Sequence, residues 1–234
     1  MRAPAKLTLF LRVKGVRPDG YHLIDAEMVT LDLADELEFG EGDGLEVTGP
    51  AADGVPTGDD NLVRRALAAT GRRARVRLHK RIATGAGLGG GSADAAAALR
   101  WAGCHDLDVA AGLGADVPFC LVGGRARVRG IGEVVEPRPF QARTFTLLTP
   151  PLKVTTAAVY RMWDDLGGPA GGNGNDLVAP ALGVVPELAV WRDRLQEATG
   201  QRPRLAGSGS TWFVDGAFPG ERRVVAKTVP GTLG

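Results

Sequence analysis

Cysteine is scarce in this chain: Cys104 and Cys120 are the only two in 234 residues. So few thiols at this length exclude a disulfide scaffold and predict reduced, buried side chains in a cytoplasmic protein. Histidine is nearly as rare. His22, His79 and His105 have no metal-ligand spacing with one another or with a cysteine, so no zinc site is predicted. An excess of one charge is also missing. The 28 Lys and Arg against 27 Asp and Glu leave a net +1, without the basic footprint of a nucleic-acid binder. Gly, Asp or Arg interrupts every apolar stretch before it reaches the length of a membrane span. The start, Met1-Arg2-Ala3-Pro4-Ala5-Lys6, leads straight into a strand-like run instead of a signal pattern. No segment repeats at a fixed period.

What remains is a soluble, globular composition, 44% hydrophobic and 24% charged, long enough for one large or two modest domains with a real core. Glycine is abundant, at 34 residues, and gathers at turns and in two Gly/Ser loops. Residues 6–13 read as a strand, Arg17-Pro18-Asp19-Gly20 as a turn, residues 21–32 and 35–39 as two further strands, and 45–48 as another. Residues 61–70 have helical spacing, with Asp59 or Asp60 as N-cap and Gly71 as C-cap. A strand over 74–82 delivers the chain to the first glycine loop, and a helix runs from that loop to about Trp101. A short helix or turn follows over 107–113. A tight turn at 114–118 then leads into the apolar run Phe119-Cys120-Leu121-Val122, read as a buried strand. Residues 125–135 form a hairpin bent at Gly130 and Gly132, and 145–148 a buried strand. Beyond Pro150-Pro151, helices are predicted over 155–166 and 186–199, the latter with Leu188, Trp191 and Leu195 on one stripe. Strands over 203–209 and 211–214 flank the second loop, Gly207-Ser208-Gly209-Ser210, and the tail from Glu221 mixes helix and strand signals. Hairpins with interspersed helices favour α+β over a doubly wound sheet.

The centre of the chain is Thr84-Gly85-Ala86-Gly87-Leu88-Gly89-Gly90-Gly91-Ser92-Ala93-Asp94, followed by four alanines. Glycine lets backbone N–H groups approach a ligand, and alanine is the strongest helix former. A glycine loop opening a helix gathers free N–H groups at the positive end of the helix dipole, so a phosphate is expected there. The loop formally matches G-x-G-x-x-G. A dinucleotide fold also needs an acidic residue closing the next strand, and the segment before Asp106 and Asp108 is a helix-like alanine run. A Walker A loop needs G-K-[ST], and Ser92-Ala93 follows the glycines instead. A flexible turn without ligand is the remaining alternative.

Pro4-Ala5-Lys6-Leu7, the loop from Gly85 to Ser92, and Ala206-Gly207-Ser208-Gly209-Ser210 fall in the order of the three motifs of the GHMP small-molecule kinases. The chain resembles that family over nearly its whole length. Asp19-Gly20-Tyr21-His22 and Gly114-Ala115-Asp116-Val117-Pro118-Phe119 resemble one branch of it, which phosphorylates a cytidine-diphospho alcohol on the non-mevalonate route to isoprenoid precursors. The resemblance implies a two-domain α+β fold, divided as 1–149 and 150–234, with the active site in the cleft between. It implies ATP as co-substrate with Mg²⁺ and a small-molecule cytidylyl substrate as partner, with neither nucleic acid nor membrane involved. Another kinase of the family, acting on homoserine, mevalonate or a sugar, and a catalytically inactive nucleotide-binding relative are the rival readings.

By the same resemblance, Asp116 is the catalytic carboxylate that accepts the proton of the substrate hydroxyl, and Lys6 the neighbouring ammonium that stabilises negative charge. Without the resemblance, Asp116 would read as a turn or cap residue and Lys6 as a solvated strand end. Gly85, Ala86, Gly87, Leu88, Gly89, Gly90, Gly91 and Ser92 would hold ATP phosphates, and the Ser92 hydroxyl would reach a phosphate or the metal. Asn61 would approach the adenine, or serve as a helix cap. Thr8, Tyr21, His22, Thr156 and Tyr160 would bind the acceptor, with Tyr21 and Tyr160 sandwiching the pyrimidine and His22 offering its edge a donor and an acceptor. The second loop, Gly207 to Ser210, would close the phosphate site. Asn175-Asp176-Leu177 matches a family motif and is read as structural. Three positions depart from the pattern. Ala83 replaces a proline before the loop, Ala93 replaces a second serine and so removes a phosphate hydroxyl, and Thr8 replaces an asparagine.

Overall fold

The computed structural model describes residues 1–231. Its first sheet is built around one long strand. β1 (Arg2–Val16) turns through Gly20, which has a positive φ, and returns as β2 (His22–Gly40). The two strands predicted over 21–32 and 35–39 are thus one, because the irregularity that holds Asp32 does not end the strand and Asp35 pairs again with Ala3 of β1. β3 (Gly44–Thr48) lies parallel to β4 (Arg75–His79), β4 is antiparallel to the end of β2, and β5 (Arg125–Gly130) and β6 (Val134–Arg138) continue antiparallel from the start of β2. The order is β3-β4-β2-β5-β6, with β1 also on β2.

Four helices cover this sheet. α1 (Leu62–Ala69) is capped by Asn61, whose Oδ1 accepts the Val63 N–H at 2.8 Å, so the cap is Asn61 and not Asp59 or Asp60. α2 (Gly90–Trp101) is the central helix, packed against α1, α4 and β1. Ala95, Ala96, Ala97, Ala98 and Leu99 are all fully buried, and side chains this small let the helix be enclosed on every side. α3 (Leu107–Leu113) is capped by Asp106. α4 (Val117–Val122) corrects the strand predicted for 119–122. A short, largely buried apolar run carries no periodicity to separate the two structures, and Pro118, within the first turn, suits a helix start.

The second sheet is antiparallel, in the order β10-β7-β9-β8: β7 (Thr144–Leu148), β8 (Arg204–Leu205), β9 (Trp212–Asp215) and β10 (Arg223–Lys227). β7 precedes residue 149, so a division at 149/150 separates it from the strands it pairs with. α5 (Thr156–Asp165), α6 (Val178–Val184) and α7 (Leu188–Thr199) complete this half. Leu188 and Leu195 are fully buried, and the Leu188 carbonyl accepts the Trp212 indole N–H at 3.0 Å, fixing α7 on β9. The tail rejoins the first sheet, where Val229 N–H donates to the Thr30 carbonyl at 3.0 Å. No helix of the described residues is long and apolar enough to cross a membrane, and Cys104 and Cys120 are both free thiols.

Candidate active site

A cavity of about 960 Å³ receives residues from β1, the β1–β2 turn, both glycine loops, α2 and α5. Lys6, Thr8, Tyr21, His22, Asn61, Asp116, Thr156 and Tyr160 all line it. So do Gly85, Ala86, Gly87, Gly89, Gly90, Gly91 and Ser92. Leu88 does not. Its side chain is buried in a second core with Leu7, Ile82 and Phe213, and its carbonyl accepts the Lys6 N–H at 3.0 Å. Leu88 therefore anchors the loop to β1 from behind.

Lys6 and Thr8 share a face of β1 because they are two residues apart. Lys6 is 5% exposed, and its Nζ lies 3.3 Å from Asp116 Oδ2 and donates to Thr8 Oγ1 at 3.2 Å. Asp116 occupies the N-cap position of α4 but makes no capping hydrogen bond. Its carboxylate is left to the cavity, one-third exposed and paired with Lys6. The turn that carries it is backed by Gly132 at the hairpin bend, where a Cβ would come within 2.3 Å of the Ala115 carbonyl oxygen.

Gly89, with φ 66°, is the N-cap of α2, and no acidic residue lies in the first turn to offset the dipole. A Cβ at Gly89 would lie 2.7 Å from Lys6 Cγ, so glycine there admits both the left-handed backbone and the lysine stem. Ala93 faces the core, 1% exposed and away from the cavity. A side chain at 93 starts from a Cβ packed in the core and not from the cavity wall. Ser92 is half-buried and lines the cavity.

At the other end, His22 Nε2 is 2.8 Å from Asp164 Oδ1. A carboxylate only accepts, so Nε2 carries the proton and Nδ1 alone remains for a ligand, where the sequence predicted both nitrogens. Tyr160 packs on the His22 ring with centroids 4.6 Å apart, and Trp163 meets it edge-on at 5.6 Å. Burial, and after it the Asp116 charge, push the Tyr160 phenol upward, so it stays neutral at physiological pH. Tyr21 is 58% exposed at the rim. Thr156 Oγ1 is 3.0 Å from Ser208 Oγ, joining α5 to the second glycine loop. Asn61 is committed to its cap and to the Pro56 carbonyl, so a single amide hydrogen is left over.

A buried ionic cluster behind the first loop was not predicted. Lys80 Nζ donates to Asp35 and, at 2.7 Å, to Asp94, and all three are nearly fully enclosed. Asp35 also accepts the Arg81 and Ile82 N–H groups, holding the segment that enters the loop. Asp94 Oδ1 has no partner among the described residues. Burial, then the Asp35 charge working against Lys80, raises the Asp94 carboxyl to about 7. The one sequence signal for this cluster was Asp94, the single acidic residue of the otherwise small and apolar first half of α2.

Residues 61–124 match the family model for the GHMP kinases N terminal domain. The chain is 38% identical to a 4-diphosphocytidyl-2-C-methyl-D-erythritol kinase of Paracoccus denitrificans, with 98% of this chain and 91% of the relative covered. It is 40% identical to the enzyme of the same name from Cereibacter sphaeroides, over 94% and 89% of the two chains. A crystal structure of 4-(cytidine 5'-diphospho)-2C-methyl-D-erythritol kinase matches with a TM-score of 0.75 at 32% identity, over 97% of this chain and 98% of the other. The L. major mevalonate kinase, at 16% identity and a TM-score of 0.60 over 100% of this chain and 97% of its own, shares the fold. A similarity of this depth over nearly the full length places the chain in the 4-diphosphocytidyl-2-C-methyl-D-erythritol kinase family of the GHMP kinases.

Proposed function

We propose that this chain transfers the γ-phosphoryl group of ATP to the 2-hydroxyl of 4-diphosphocytidyl-2-C-methyl-D-erythritol, giving the 2-phosphate and ADP, in a cytoplasmic route to isoprenoid precursors. The observation that carries the reading is the Lys6–Asp116 pair, 3.3 Å apart in the cavity that the N-terminus of α2 opens onto. Phosphoryl transfer asks a protein for position and charge more than for covalent chemistry. The N–H groups of the first loop hold the ATP phosphates, with Ser92 beside them, and Asn61 borders the adenine. Asp116 accepts the proton of the attacking hydroxyl, and Lys6 offsets the charge that develops on the reacting oxygens. Thr8, held by Lys6, and Thr156 border the acceptor. Tyr21 and Tyr160 offer aromatic faces to the cytosine, and His22 Nδ1 accepts from its exocyclic amine.

Among the described residues no group of three or more His, Cys, Asp or Glu could hold a metal. Mg²⁺ needs less, because one or two carboxylates with phosphate oxygens and waters complete its shell. The Asp116 carboxylate and the Ser92 hydroxyl are hard oxygen donors lining the same cavity, so the residues present fit a phosphate-held Mg²⁺. When bound, the ion neutralises charge on the transferring group. The test is an ATP-dependent phosphorylation assay across the cytidylyl alcohol, mevalonate and homoserine. Turnover of the cytidylyl alcohol alone is expected. Turnover of only the other two would refute the substrate and keep the kinase.

A further inference from the structure

We infer that Asn175 is a positioning residue for phosphoryl transfer, acting through the second glycine loop. Asn175 is 4% exposed and spends its amide on that loop, donating through Nδ2 to the carbonyls of Leu205 (3.0 Å) and Gly207 (2.7 Å). Its Oδ1 accepts the Leu177 N–H at 2.9 Å, so the amide orientation is determined. The segment carrying it is tied to β1. Leu11 N–H donates to the Gly174 carbonyl at 2.8 Å, and Asp176 N–H donates to the Leu11 carbonyl at 3.0 Å. Asp176 completes the tie by accepting from Val13 N–H at 2.9 Å and from Arg12 Nη1 at 2.6 Å.

Asn175 is therefore a strut between β1, which carries Lys6 and Thr8, and the loop that faces them. The far end of the strut is close to the chemistry. A Cβ on Gly207 would stand 3.5 Å from Lys6 Nζ and 3.6 Å from Thr8 Oγ1, and Gly207 has φ +61°. The same loop touches the first glycine loop, because Thr211 N–H donates to the Ala86 carbonyl at 3.1 Å. The first loop has its own anchors in Leu88 and the Lys80 cluster. Loss of the Asn175 strut thus acts first on the wall beside Lys6, and less on the first loop, which keeps these anchors. The inference rests on the reading of Lys6 and Asp116 as the reacting pair.

The experiment compares Asn175→Asp and Asn175→Ala with the wild type, measuring kcat, both KM values and Tm. The Asp variant keeps volume and the Leu177 bond but sets a carboxylate oxygen against two carbonyl oxygens. The Ala variant leaves both carbonyls buried and unpaired. A drop in kcat on the order of 10²-fold in both is expected, since misplacement by about 1 Å costs that much. The KM for ATP should stay within about two-fold, the pattern of an interaction that matters in the transition state. The proposal is overturned if kcat stays near the wild-type value, if both KM values move with it in proportion to lost Tm, or if neither variant folds. Variants are compared on whichever acceptor the wild type turns over. Wild-type failure on the cytidylyl alcohol refutes only the substrate reading, and a wild type that phosphorylates no acceptor overturns both.

Discussion

At the scale of single residues, the site depends on side chains released from structural duty. Asp116 stands where a capping residue would stand, yet its carboxylate caps nothing and meets Lys6 instead. Removing its charge with little change in shape isolates that role. Asp116→Asn is expected to lower kcat by about 10²–10⁴-fold, the range of a general base, and steady-state kinetics with unchanged turnover would take Asp116 out of the mechanism. His22 is the opposite case, half committed through Asp164. His22→Ala should raise the KM for the cytidylyl substrate while leaving that for ATP nearly unchanged, and equal shifts in both would rule out a pyrimidine contact. That Lys6, Asp116, Tyr21, His22 and Tyr160 would line one cavity was legible from short motifs, because motif spacing survives without knowledge of contacts. The Asp164 partner of His22 was not, since 142 positions separate them.

At the scale of elements, the two glycine loops, each with its own anchors, pack against each other at Gly87. Gly87 has φ +76°, and a Cβ there would meet the Ala206 carbonyl oxygen at 2.3 Å and the Gly209 carbonyl oxygen at 2.6 Å. Gly85 has a similar φ of +72° but only the Val154 carbonyl oxygen, at 3.8 Å, near its Cβ position. Alanine at either site incurs a left-handed backbone cost of about 1–2 kcal/mol, and at Gly87 it also pushes the loops apart. Thermal unfolding should therefore show a larger loss of Tm for Gly87→Ala than for Gly85→Ala, by at least roughly 2–4 °C. Equal losses would mean that the loops do not brace each other. The strand–loop–helix order around Gly85 was readable because glycine and alanine have strong, opposed backbone preferences. The helix α4 was not, because an enclosed apolar run of six residues looks the same in either secondary structure.

At the scale of the whole molecule, the Lys80 cluster joins β2 through Asp35 to α2 through Asp94, beneath the cavity. The Asp94 carboxyl is raised from 3.8 to about 7 by burial. Between those values the folded chain holds a proton that the unfolded chain has lost. Stability from this group is therefore fully present below the unfolded value and declines as pH rises toward 7. Denaturant unfolding over pH 4–8 should show that decline in the wild type and a flatter profile in Asp94→Asn. Identical slopes would exclude Asp94 as its source. The sequence by itself determined the α+β class, the glycine loop that opens α2, the Lys6 and Asp116 candidates and the family resemblance, because each is written in local composition or in short motifs whose spacing is preserved along the chain. Only the tertiary structure decided that Leu88 and Ala93 turn away from the cavity, that Lys80 is buried between two aspartates, and that Asn175 props the second loop beside Lys6. Those outcomes depend on which face of an element is covered and on partners dozens of residues away, and neither is fixed until α2 packs on the first sheet and the second sheet packs against it through the core around Leu7, Leu88 and Phe213.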